Sequence, residues 1–299
     1  MSAIESKAPP IGALRPADAA ADAPAVPRTK TLDAGSPRAS RLRRRGWRRG
    51  VSPLVVLVLW QLTHVLNLIS PNKLPPPSMV ATTAYNLVVH PMPAFGSLQA
   101  ALLVSLERFA IGFAVGGGIA ILLALSAALS RLGEAAIDPL VQMIRMLPLF
   151  GLVPVFIVWF GIGQLPKVIL VALAAAVPLY LNLYAGVRSI DGRLYELGRV
   201  LGLTRRERLL NIVLPGALPQ ALVGFRQSLG TAWLALVVAE QINASTGLGF
   251  MINQAAAFLR NDVIFVALLV YTLLGLLTDG IVRAVERRAL AWRTDLVSA

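Results

Sequence analysis

YELGRVLGLTRRERLLNIVLPGALP, residues Tyr195 to Pro219, decides how this chain is read. The stretch holds Glu196, Arg199, Arg205, Arg206, Glu207 and Arg208, although only 14% of the whole chain is charged. Counting from Ile190, apolar residues recur at Leu194, Leu197 and Leu201, which is one stripe of an α-helix, while Arg193, Glu196 and Arg199 occupy the other face. Gly202 follows, where a positive φ would end that helix. Thr204 and Glu207 then have the spacing of a capping box, which opens a second helix with Leu209, Ile212 and Val213 on one face. Pro215 has no amide to carry the pattern further. The local expectation is helix, sharp turn, helix, stop.

The surroundings of this polar stretch are oily. Of 299 residues 56% are hydrophobic, and the mean hydropathy of +0.69 is that of a polytopic membrane protein rather than a soluble domain. Six apolar runs reach or approach the ~20 residues that cross a bilayer as a helix: 51–69, 105–129, 140–160, 168–187, 222–239 and 263–285. Nearly all Lys and Arg outside these runs fall before the first, between the fourth and fifth, and after the sixth; the alternate loops carry little beyond Lys73, Lys167 and Arg260. Basic loops stay cytoplasmic, so both termini and the Tyr195–Pro219 stretch are expected inside.

Composition excludes several functions. The net charge of +13 includes eleven basic residues among the first 50 positions, and no basic face with interleaved aromatics follows, so nucleic-acid binding is not indicated. There are no cysteines, and His64 and His90 have no second ligand at metal-binding spacing. No GxxxxGK[ST] phosphate loop occurs, so the chain has no ATP-hydrolysing site of its own. An intramembrane protease would need apposed catalytic groups, yet Asp279 is the one Asp well inside a run and His64 has no matching serine. An ion-coupled secondary transporter would show several intramembrane carboxylates and an internal repeat; neither is found.

Residues 1 to 50, rich in Ala, Pro, Ser and charge, are expected to be disordered. Their last part, RLRRRGWRR (41–49), either anchors on anionic headgroups with Trp47 or simply holds the N-terminus inside. In the outer loops, SPNKLPPPS (70–78) predicts extended or turn structure, and STGLGFMINQAAAFLRND (245–262) predicts a short amphipathic helix after the breakers Gly247 and Gly249. Plugging a pathway and resting on lipid fit that helix equally. Gly112 and Gly116 have the small-xxx-small spacing of close helix packing. Pro148, Pro154 and Pro178 interrupt the third and fourth runs, leaving backbone groups to be satisfied inside protein or beside water. Arg145 either attracts an anionic substrate or snorkels at the cytoplasmic end of its run, the second reading being favoured. Glu240, at the outer end of the fifth run, reads as a solvated carboxylate with the option of a partner contact, and Trp233 and Trp159 as packing or interface residues. Arg145, Trp233 and Glu240 are also the three candidates for the substrate pathway.

Glu196, Gly202 six positions on, and Ile212-Val-Leu-Pro215 resemble the EAA signature of the membrane subunits of type I ABC importers: Glu-Ala-Ala, three residues, Gly, nine residues, Ile-x-Leu-Pro. The chain departs from it at the two alanines, which are Leu197 and Gly198. The likeness extends over about 51–293, and the stretches 145–163, 214–240 and 247–252 resemble the branch importing aliphatic sulfonates, taurine, nitrate and related small anions, with alkanesulfonate permeases nearest. The resemblance implies an all-α polytopic fold of about six spans, with a transmembrane domain over 51–293 (core about 98–285) and a cytoplasmic coupling helix in the 188–219 loop between the fourth and fifth spans. It implies a bacterial inner-membrane permease working as a homodimer, with an extracytoplasmic substrate-binding protein and a separate ATPase subunit that consumes ATP-Mg. Docking on that subunit would fall to Glu196, Arg199, Gly202, Leu203, Thr204, Arg205, Ile212, Leu214 and Pro215. No cofactor or metal would be bound by the chain itself.

Overall fold

The computed structural model describes residues 38–90, 92, 94–242 and 244–291, and these are almost wholly helical. Helix α1 (Arg38–Val65) begins in the first of two compact units, Met1–Pro53, and the remaining elements belong to the second, Leu54–Ala299. A helical backbone therefore starts inside the stretch expected to be disordered; residues 1–37, and the side chains of the 41–49 run with Trp47, lie outside the described residues.

Among the described residues four helices are long and apolar enough to cross a membrane: α3 (Leu98–Leu129), α6 (Leu165–Arg188), the continuous Arg205–Gln241 and α11 (Asn261–Ala289). The run expected at 140–160 is instead a broken pair, α4 (Arg131–Met146) and a 3₁₀ turn leading into α5 (Val153–Phe160), bent by 91°. The break has a local cause. Leu147 precedes Pro148, whose ring drives it out of the helical region, and it sits at φ −71°, ψ 137°. The first run forms a helix only to Val65 and its apolar part, Val51–Val65, is shorter than a span. Counting the bent pair as one span gives up to five.

Helix α6 is central, packed against α3 and against α9 (Leu214–Gln241). Small residues set these distances. A Cβ added to Gly112 would meet Val171 at 2.7 Å, and one on Gly116 would meet the Ala172 carbonyl oxygen at 2.1 Å, so the small-xxx-small pair joins α3 to α6 within one chain. Buried Ala120 and Ala124 continue the same four-residue ridge. Pro178 does not break its span: α6 runs through it. Its missing amide leaves the Ala174 carbonyl without a helical partner, and the Thr231 hydroxyl of α9 donates to that oxygen at 2.8 Å.

Two elements between the expected spans were misplaced or missed. The polyproline run keeps turn and extended backbone as far as Pro76, as expected, but Pro77 then occupies the first turn of helix α2 (Pro77–Val89), where a proline costs no hydrogen bond. Val80, Thr83 and Leu87 are its buried face, and Thr83 donates to Asp262 of α11 at 2.8 Å. The expected amphipathic helix exists as α10 (Leu248–Ala257), but it does not rest on lipid: Leu248, Met251 and Ala255 are fully buried in the main core with α3, α9 and α11.

Candidate functional site

In the loop between α6 and α9, the expected turn is built in full. Asp191 accepts a hydrogen bond from the Arg193 amide (2.9 Å) and caps helix α7 (Gly192–Val200), a start signal the apolar pattern had not named. Gly202 has φ +71°, and paired bonds from its amide to the Arg199 carbonyl and from the Leu203 amide to the Gly198 carbonyl, both 3.0 Å, close a Schellman motif. The capping box follows. The Thr204 amide donates to the Glu207 carboxylate at 2.7 Å, and the Glu207 amide donates to the Thr204 hydroxyl at 3.3 Å, opening α8 (Arg205–Arg208).

Pro215 does not end this second helix. The chain passes from α8 through one π turn, Leu209–Val213, into α9, where Pro215 occupies the first turn. There its absent amide is tolerated, and the widened turn before it removes the carbonyl clash that a proline causes inside an α-helix. The packed side of α7 is also unexpected. Gly198 is buried beside Ile212 and Arg208, where a Cβ would come within 2.9 Å of the Ile212 side chain. The Leu194, Leu197 and Leu201 stripe, with Val200, is exposed instead. Tyr195 and the arginines 205, 206 and 208 border a cleft of about 560 Å³, and the Arg208 Nε is buried without a hydrogen-bond partner.

A second arrangement was not anticipated. Glu240, expected to be a solvated helix end, is wholly buried. Its Oε1 pairs with Arg108 Nη1 at 2.6 Å. Its Oε2 accepts from the Gly249 amide and the Tyr271 hydroxyl, both at 2.9 Å, and the Ser105 hydroxyl donates across both oxygens at 2.9 and 2.7 Å. Arg108 is fixed in turn by the Thr246 carbonyl (2.7 Å), the Thr246 hydroxyl (3.1 Å) and a short bond to Gln164. One carboxylate thus ties α3, α9, α10 and α11 together. The approach of α10 depends on Gly247, at φ +115°, where a Cβ would lie 2.6 Å from Glu240 Oε1 and 2.7 Å from Arg108 Nη1.

Of the three pathway candidates, Trp233 and Glu240 share a face of α9, and Tyr271 links them, its ring edge on the Trp233 ring at 6.2 Å and its hydroxyl on Glu240. Trp233 also stacks on Phe109 at 3.8 Å and donates to Thr278 at 3.2 Å, a packing role as expected, while bordering a cleft of about 390 Å³ between α9 and α11. Arg145 belongs to neither arrangement: it is exposed in the last turn of α4, beside the 91° break. Lys167, read as a loop residue, lies in the first turn of α6 and is buried. Arg108 escaped notice because hydropathy averages one Arg into a long apolar run. An arginine inside one apolar run and a glutamate at the end of another were the available signal.

Residues 116–290 match the family described as binding-protein-dependent transport system inner membrane component. The chain is 37% identical over 254 residues, 85% of its length and 90% of the relative's, to the "Putative aliphatic sulfonates transport permease protein SsuC" of Bacillus subtilis (strain 168). A protein of the same name from Escherichia coli (strain K12) is 40% identical over 80% of the chain and 89% of its own length. The taurine transport system permease protein TauC of the latter organism is 33% identical over 81% and 88%. Among solved structures, that of an amino acid ABC transporter with histidines superposes on 70% of the chain and 98% of its own, with a TM-score of 0.55 at 17% identity, a likeness of fold alone.

Proposed function

The chain belongs to the family of binding-protein-dependent transport system inner membrane components, a multi-pass ABC importer permease, and from that premise we propose that it carries aliphatic sulfonates inward. The observation that carries the substrate is the 37% and 40% identity, over at least four-fifths of the chain, to two permeases named for aliphatic sulfonates. Taurine and nitrate are the competing anions of the same branch. In this reading two copies form the pathway, a binding protein delivers substrate from outside, and both termini lie in the cytoplasm.

ATP-Mg is consumed by a separate ATPase subunit that docks on the 188–219 loop. Three features support that docking. The exposed Leu194, Leu197, Val200 and Leu201 form an apolar patch left uncovered by the described residues. Glu196 and Arg199 stand beside it in solvent. The exposed Arg205 and Arg206, which border the cleft beside Tyr195, suit acidic side chains of another protein. Gly202, Leu203, Thr204 and Arg205 make the turn that presents this patch, and Ile212, Leu214 and Pro215 join it to the span. Trp233 then borders the pathway and Arg145 adds positive charge at the α4 break, whereas Glu240, with both oxygens occupied, positions Arg108. The test is ATP hydrolysis by the reconstituted permease, ATPase subunit and binding protein: alkanesulfonates should stimulate it, and stimulation by nitrate but not by sulfonates would overturn the assignment.

A further inference from the structure

Beside the Arg108–Glu240 pair lies a cleft of about 200 Å³ lined by Arg108, Gln164, Lys167 and Ser245. Its charges do not balance. Arg108 and Lys167 are both buried, at 3% and 7% exposure, and the one carboxylate of the cluster, Glu240, is engaged at both oxygens by Arg108, Ser105, Gly249 and Tyr271. Two cations against one anion leave a net charge of +1. Among the described residues the Lys167 ammonium has one hydrogen-bond partner, the Gly163 carbonyl of its own helix start at 2.6 Å.

The donor inventory shows the same surplus. An ammonium has three donors and a guanidinium five. Lys167 uses one of its three, and Arg108 uses four of its five, on Gln164, Glu240 and the two oxygens of Thr246. The side-chain amide hydrogens of Gln164 add to what is left. A largely buried ammonium that shares its single carboxylate with an arginine, and that faces a cleft with donors to spare, calls for an anionic ligand. We propose that this cleft is a binding site for the oxyanion head of a small organic anion. Lys167 is the cation that meets it, and Arg108, held in place by Glu240, is the second. The apolar recess that shares Lys167 has a volume of only about 10 Å³, room for a water and not for an alkyl chain, so the cleft takes the head and leaves the tail outside. The ligand class rests on the sulfonate reading above; the site itself rests on charge and geometry.

The experiment titrates the purified permease–ATPase complex in detergent with radiolabelled methanesulfonate, with nitrate, and with dimethyl sulfone as the uncharged control. Methanesulfonate should bind and the sulfone should not. Lys167→Gln should weaken anion binding tenfold or more, the worth of a lost charge-assisted hydrogen bond, and Lys167→Arg should recover most of it. Gln164→Glu guards against a folding defect: it keeps an acceptor for Arg108 Nε, cancels the surplus charge, and should weaken anion binding by a similar factor. Equal anion affinity in wild type, Lys167→Gln and Gln164→Glu would overturn the site while leaving the sulfonate reading intact. Lys167-dependent binding of nitrate without methanesulfonate would uphold the site and sink the sulfonate reading.

Discussion

Replacing Glu240 by Gln keeps the shape of the side chain and removes what the surrounding donors require. Oε2 accepts from Ser105, Gly249 and Tyr271, and Oε1 from Arg108 and Ser105. If the glutamine oxygen takes the Oε2 position, its NH₂ points at Arg108 Nη1, donor against donor at a spacing of 2.6 Å in the wild type. If the amide is flipped, the NH₂ meets the Gly249 amide and the Tyr271 hydroxyl. Neither orientation supplies a charge for Arg108, 3% exposed. Breaking one side of a buried pair costs about 3–5 kcal/mol. The measurement is SDS denaturation of the purified permease–ATPase complex in mixed micelles, followed by tryptophan fluorescence. Adding Arg108→Gln should return part of the loss, a coupling of about 0.5–3 kcal/mol. A cost for Glu240→Gln below about 1 kcal/mol, or a double mutant that is simply additive, would refute the assignment of this pair as the tie between the helices.

Three further outcomes follow from the geometry. Gly116→Leu should destabilise the complex by about 1–3 kcal/mol in the same denaturation, since even a Cβ would lie 2.1 Å from the Ala172 oxygen; wild-type stability would mean α3 and α6 are not packed this way. Thr231→Val should cost about 1–2 kcal/mol by orphaning the Ala174 carbonyl, and Pro178→Ala, which restores an amide to that oxygen, should cancel the effect. Gly202→Val forces a β-branched residue to φ +71°, which should leave the permease in the membrane yet abolish co-purification of the ATPase subunit, and normal co-purification would count against the docking assignment.

What could be read from the sequence divides by range. The turn at Gly202, the Thr204–Glu207 box and the Gly112–Gly116 contact were legible because each is fixed by residues a few positions apart whose backbone demands are nearly context-free. Pro215 defeated the same logic because a proline reads alike at a helix end and a helix start, and the π turn that decides between them has no composition of its own. The 91° break was half legible: Pro148 announced an interruption, but its angle depends on how α5 packs on α6. Burial was the least legible property. Lipid and protein core are both apolar, so hydropathy could not tell that α10 lies inside or that the Leu194 stripe lies outside. Arg108 and Glu240 are 132 residues apart, and nothing local to either names the other.

The continuity of the helix from Arg205 to Gln241 has a mechanical consequence. At about 1.5 Å per residue, its 37 residues make a strut about 55 Å long with Thr204 at one end and Glu240 at the other. A stiff strut would carry a displacement along its length, so that a shift at Thr204 would reach the Arg108 guanidinium beside its far end. The compliant point in the strut is the π turn at Leu209–Val213. How stiff that one turn is sets how much of any stroke reaches the far side.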